Sequence, residues 1–149
     1  MVRVETSVVV DRPVEELFGV VTNPETYSQW MLGCLGAWQT SEGQMAVGAT
    51  YIDGGQLLGR RVEETLVVTA YEPNRKFGVK TTSGPIRGEG AYTFEPVEGG
   101  TKVTLDFEAE LGGFFKLAKP IVARALKRQG EGNLAGLKDL LEAHAEVSA

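Results

Sequence analysis

The sequence predicts an α+β domain. A curved antiparallel sheet of about six or seven strands wraps around one long C-terminal helix, with two short helices following the first strand. Three observations lead there. Residues 2–10 and 101–110 are β-rich, the latter alternating strictly between apolar and polar. Turn signals punctuate the chain from Ser41 to Gly100 at the spacing of an antiparallel meander. After Gly112-Gly113 the apolar period changes to that of a helix and stays so to the end.

The elements follow in order. In residues 2–10, Val4, Thr6, Val8 and Val10 share a face, which makes a strand. Asp11 and Pro13 then supply a helix start, with Glu15 and Glu16 in the first turn, where the helix dipole favours acids. Val14, Leu17, Phe18 and Val21 form one apolar stripe. Asn23-Pro24 repeats the cap-then-proline signal and opens a shorter helix carrying Tyr27 toward Trp30.

Strands are expected at about 32–40, 49–58 (breaking at Gly59), 60–72, 76–82, 86–95 and 101–110, with a loop at Ser41 to Gly48. In the last of these, Val103, Leu105, Phe107 and Ala109 share one face and Lys102, Thr104, Asp106, Glu108 and Glu110 the other, so one face of the sheet leaves water. Tyr92 and Phe94 join the buried face, with Gly88 and Gly90 behind them, while Arg87, Glu89, Thr93 and Glu95 face solvent.

In the C-terminal segment Phe114, Leu117, Ala118, Ile121, Val122, Ala125, Leu126, Leu134, Leu137, Leu140 and Leu141 recur at helical spacing. Pro120 begins the main helix or kinks it, leaving Phe114–Lys119 as a separate turn. Gly130, Gly132 and Gly136 each lower helix propensity by about 1 kcal/mol relative to Ala. Either the helix approaches the sheet closely there or it flexes.

Composition excludes several classes. At 149 residues the chain is expected to form a single domain, 1–149, and its net charge of −5 argues against a nucleic-acid partner. No apolar run reaches the roughly 20 residues of a transmembrane helix, and the N-terminus reads as a strand, not a signal sequence. Cys34 is the only cysteine, so no intrachain disulfide forms, and a cytoplasmic setting is expected. A lone cysteine reads as a small buried apolar residue. The single histidine, His144, is too few for a structural zinc site or a two-histidine iron site, and lies near the chain end, where a catalytic triad is hard to assemble. No metal and no cofactor are expected.

One helix about 10 Å wide cannot fill the concavity of a strongly bent sheet, so an apolar cavity is expected between helix, sheet and the two short helices. At the level of motifs the chain resembles the START-like (SRPBCC) superfamily, within it the polyketide cyclase/dehydrase and lipid-transport group. The residues that carry the resemblance are Arg12-Pro13-Val14-Glu15-Glu16-Leu17-Phe18, Asn23-Pro24-Glu25-Thr26-Tyr27 leading to Trp30, and Ala70-Tyr71-Glu72-Pro73. To these add Tyr92-Thr93-Phe94-Glu95-Pro96, Glu98-Gly99-Gly100-Thr101-Lys102-Val103, and Gly112-Gly113 before a basic helix ending in Leu137-Lys138. The resemblance spans essentially the whole chain and implies the helix-grip fold. It implies little about activity, because the family mixes carriers, cyclases, hormone receptors and chaperone activators.

The expected ligand contacts are Trp30, Tyr51, Asp53, Leu66, Val68, Val79, Thr81, Tyr92, Leu105, Phe107, Ile121, Ala125 and Gln129. Trp30 and Trp38 would sit near the entrance, where Trp30, with Met31 and Leu32, would either close the cavity mouth or serve as core. Which of Tyr51 and Asp53 faces the cavity is left open. Asp53 is the first candidate for acid–base chemistry, since a carboxyl among aromatic rings has a raised pKa. Equally, Asp53-Gly54-Gly55 reads as a bulge or turn. Tyr92 is the second candidate: its hydroxyl would orient a ligand carbonyl or simply satisfy backbone. The basic stretch Lys116, Lys119, Arg124, Lys127 and Arg128, with Phe114 and Phe115, reads as a solvated helix face or as a transient contact with anionic membrane.

Three functions are therefore expected to compete. The first is binding or carriage of a hydrophobic small molecule such as a lipid, polyketide or aromatic metabolite. The second is a polyketide aromatase/cyclase or dehydratase working in the same cavity. The third is a protein-interaction module with a vestigial cavity. The chain is expected to act as a monomer or homodimer.

Overall fold

A computed structural model describes residues 1–148, apart from the side chains of Leu57, Phe114 and residues 144–148. Strand β1 (Val2–Val10) is followed by helix α1 (Val14–Val21), a 3₁₀ turn (Pro24–Thr26) and the single-turn helix α2 (Tyr27–Trp30). Six strands come next: β2 (Cys34–Gln39), β3 (Thr50–Leu57), β4 (Arg60–Glu72), β5 (Lys76–Ser83), β6 (Ile86–Val97) and β7 (Gly100–Leu111). Helix α3 (Gly113–Leu117) and the long helix α4 (Lys119–Ser148) complete the chain.

All seven strands join one sheet in the order β1-β7-β6-β5-β4-β3-β2, every pair antiparallel. The meander therefore runs from β2 to β7 without a crossover, and β1 closes against β7. The hairpin turns explain why the chain reverses where it does. Between β3 and β4 only Leu58 and Gly59 lie outside the ladder, both at positive φ (52° and 75°), the mirror-image turn whose twist matches paired strands. Between β4 and β5 the left-handed position falls to Asn74, at φ 61°, a residue that tolerates it through local hydrogen bonding.

Asn23 caps the 3₁₀ turn, its Oδ1 accepting from the Glu25 amide at 3.2 Å. Pro120 falls in the first turn of α4, where its missing N–H costs nothing, so the proline starts the main helix and α3 stands apart as a short turn.

Helix α4 packs across the concave face. Its buried positions are Val122, Leu126, Gly130, Asn133, Leu134, Leu137 and Leu141. The helix glycines mark close approaches. A methyl group at Gly136 would lie 2.3 Å from the carbonyl oxygen of Trp30, and one at Gly130 would lie 3.1 Å from Val4. Gly136 thus seats α4 against α2, not against the sheet; the sheet contact is at Gly130. At its far end α4 is fastened to β1: Lys138 Nζ donates to the Val9 carbonyl at 2.9 Å, and Glu142 accepts from the Asp11 amide at 3.0 Å.

Burial separates into two apolar clusters. The larger gathers Leu17, Phe18, Val21, Tyr27, Trp30, Phe77, Phe94, Leu134 and Leu137 under α1 and α2. The smaller gathers Val2, Val4, Ile86, Ala109, Phe115, Val122 and Leu126 at the α3 end. Between them α4 spans the bent sheet with no third layer to fill the gap.

Candidate functional site

A pocket of about 180 Å³ opens in that gap. Its walls take residues from both clusters, Tyr51, Leu66 and Tyr92 from one and Val4, Ile86 and Leu126 from the other. The half-buried Leu105 and Phe107 on β7 complete the floor. The Phe107 ring sits against Gly88 of β6, which has no side chain; a Cβ there would meet the ring at 2.3 Å.

Alternation along β3 puts residues two apart on one face, so Tyr51 and Asp53 both line the pocket. The Asp53-Gly54-Gly55 segment is not a turn: β3 continues through it. The irregularity lies opposite, in β2, where Leu35 is the extra residue between Cys34, paired with Gly55, and Gly36, paired with Gly54. A Cβ on Gly55 would come within 2.8 Å of the Gly33 carbonyl, so the glycine admits the chain entering β2.

Eight of the residues singled out from the sequence meet here: Tyr51, Asp53, Leu66, Val79, Tyr92, Leu105, Phe107 and Gln129. Five do not. Trp30 is only 3% exposed and belongs to the larger core, its Nε1 donating to Thr26 Oγ1 at 3.1 Å and its ring edge-on to Tyr27 and Tyr92. It is a core residue, and Met31 beside it lines the pocket instead. Trp38, also expected near the entrance, stands half-exposed on β2. Val68 and Thr81 are buried but outside the pocket wall. Ile121 is 62% exposed and Ala125 half-buried, because the inward side of α4 is set by Val122, Leu126 and Gly130. The 3.6-residue period in this stretch admitted both phases. Of the aromatic residues expected beside the basic stretch, Phe115 is buried in the smaller core. The side chains of Phe114 and His144 lie outside the described residues.

Two polar residues of the pocket were not anticipated. Glu64 is the residue on β4 directly across from Asp53, and both carboxyls face the pocket. The two-residue turn at Leu58-Gly59 carries the signal, since residues equidistant from it pair; the adjacent Glu63-Glu64 hid which acid points inward. The second is Asn133, buried on the pocket side of α4, whose Oδ1 accepts from the Leu32 amide at 2.6 Å. Gln129 Nε2 donates to the Leu32 carbonyl at 3.3 Å. Together they tie the Met31–Gly33 strap to α4 along one side of the pocket.

The polar groups are strongly perturbed. Burial, and then the neighbouring Asp53, push Glu64 up to about 7. Burial also raises Asp53, against a hydrogen bond from Cys34 Sγ at 3.4 Å that opposes the rise. Cys34 itself is pushed up to about 12 by burial and by Asp53, so it stays a thiol. Tyr51 and Tyr92 are held as neutral phenols, chiefly by burial. Among the described residues, no lysine, arginine or histidine lines the pocket, and no group of three or more His, Cys, Asp or Glu residues could hold a metal ion.

Residues 1–142 match the family described as polyketide cyclase/dehydrase and lipid transport. The chain belongs to that family. Solved structures of similar shape share its helix-grip architecture: TTHA0849 of Thermus thermophilus (18% identity, TM-score 0.83, covering 95% of this chain and 98% of that one) and the Zhui aromatase/cyclase of Streptomyces sp. R1128 (16%, 0.78, covering 96% and 94%). Cgl2372 of Corynebacterium glutamicum, a polyketide-cyclase-like protein, is similar at 25% identity with a TM-score of 0.62, covering 97% and 93%. No curated protein matches the chain by sequence. This family member therefore has a ligand-binding fold. Among its described residues no helix is long and apolar enough to cross a membrane.

Proposed function

We propose that this protein binds a compact hydrophobic small molecule in the pocket between the sheet and α4. The observation that carries the reading is an unfilled space of about 180 Å³ walled largely by apolar and aromatic side chains. Its size narrows the ligand. An apolar cavity of roughly 150 Å³ holds a benzene ring, and pockets for drug-sized molecules run to roughly 300–1,000 Å³. One ring or two fused rings fit. A long acyl chain or a tetracyclic polyketide exceeds that volume. The open pocket weighs against a vestigial, collapsed interior.

A second reading, chemistry on the bound molecule, is favoured by the Asp53–Glu64 pair and Tyr92. An acid titrating at about 7 beside a second buried carboxyl is suited to take a proton from carbon and return one to a departing hydroxyl.

Native mass spectrometry of freshly purified protein tests the first reading. A co-purifying small molecule should be seen with the wild type and lost with Leu105→Trp, whose indole occupies the pocket. A ligand retained by Leu105→Trp would place binding elsewhere and defeat the proposal. For the second reading, Asp53→Asn and Tyr92→Phe should abolish turnover of a bound polyketide fragment, whereas a carrier would lose affinity only modestly.

A further inference from the structure

Asp53 and Glu64 stand opposite each other in the register of β3 and β4, both facing one apolar pocket. Residues so paired have Cβ atoms roughly 5 Å apart, close enough for two carboxylates to repel strongly away from water. No cation lines the pocket among the described residues to relieve them. Tyr92 lines the same space at 7% exposure, and its phenol shares the pocket with the two acids. The pocket thus offers two acids, a phenol oxygen, and the ring faces of Tyr51, Tyr92 and Phe107. Each of these favours a donor carrying positive charge.

We infer that the pocket selects a protonated amine on a one- or two-ring apolar body and rejects carboxylate ligands of the same shape. The inference rests on the pocket being the ligand site, as proposed above, and adds the ligand's charge. An ammonium group between the two carboxyls removes their repulsion, whereas a carboxylate ligand brings a third negative charge into the same low-dielectric space.

A pH signature follows. The titratable groups facing Glu64 across the pocket are Asp53 and Tyr51 from β3, Cys34 from β2 and Tyr92 from β6; β5, β7 and α4 contribute no titratable group to its wall. With Glu64 titrating at about 7, a cation that favours the ionised acids should release more protons on binding near pH 6 than near pH 8.5.

The experiment compares three probes of similar shape by calorimetry: 2-phenylethylamine (cation), n-propylbenzene (neutral) and 3-phenylpropionate (anion). The amine should bind about tenfold or more tighter than the hydrocarbon, and the acid about tenfold or more weaker. Binding of the amine near pH 6, measured in buffers of different ionisation heat, should release more protons than binding near pH 8.5. Asp53→Asn/Glu64→Gln should bring amine and hydrocarbon within about threefold of each other, and Glu64→Gln alone should narrow the gap if the double variant does not fold. An amine that binds no tighter than the hydrocarbon, or an acid that binds tightest, overturns the charge selection and leaves the pocket as the ligand site. Failure of all three probes to bind, or binding that persists in Leu105→Trp, overturns the pocket reading itself.

Discussion

Asp53 and Glu64 face each other across neighbouring strands with a shared apolar surround, and burial first, then the neighbouring carboxyl, disfavour the charged form of Glu64. Folding raises Glu64 from an ordinary 4.5 to about 7, so the unfolded chain gives up that proton first. Stability should accordingly fall as pH rises from about 4.5 to about 7 and stay at the lower level above it. Glu64→Gln should leave stability near pH 4 little changed and raise it at pH 8 by about 1–3 kcal/mol, the upper figure discounted for residual solvent contact. Urea midpoints at the two pH values measure this; equal effects at both would contradict the buried acid pair.

Cys34 should be inert. With its thiol held at about 12, the thiolate fraction near pH 8 is about a thousandfold below that of an ordinary cysteine, and alkylation should slow in proportion. Asp53→Asn should speed it, since the neighbouring carboxylate contributes to the rise. Timed iodoacetamide labelling, read by mass spectrometry on the folded chain, is the measurement. Labelling as fast as in urea would mean the Cys34–Asp53 contact does not persist in solution.

Two glycine-to-alanine changes should act in opposite directions. Gly19, exposed in α1 with nothing within 4 Å of an added methyl, should gain about 0.5–1 kcal/mol from better helix propensity. Gly136→Ala gains the same propensity but drives its methyl into the Trp30 carbonyl, and should lose about 2–3 kcal/mol net. Thermal melts of the two variants decide it, and a stabilised Gly136→Ala would mean that α4 does not seat on α2.

Asn133→Leu should loosen the strap over the pocket. It keeps the branching at Cγ and removes the acceptor for the Leu32 amide, costing about 1–2 kcal/mol. Hydrogen exchange at Leu32 should accelerate while the amides of β7 keep their protection. Unchanged exchange at Leu32 would show that the strap is held by other contacts.

The architecture was legible because it is written in periods and punctuation. Alternation in β1 and β7, the Gly59, Asn74 and Gly99 turns, and the shift of period after Gly112 are local features that survive without knowledge of neighbours. The pocket was legible in part. Tyr51, Asp53, Tyr92, Leu105 and Phe107 follow from strand parity once the inner face is known. Ile121 and Ala125 did not follow, because a helix with apolar residues on adjacent phases does not reveal which phase turns inward until it has been docked.

The sequence by itself determined the order of elements, the apolar face of the sheet and the presence of a single histidine and a single cysteine, since each depends on residue type and spacing along the chain. Only the tertiary structure decided that Trp30 is core, that Glu64 meets Asp53, and that Asn133 holds the strap. Those facts depend on which residues distant in sequence are brought together, and long-range packing selects among several pairings that local propensity leaves equal.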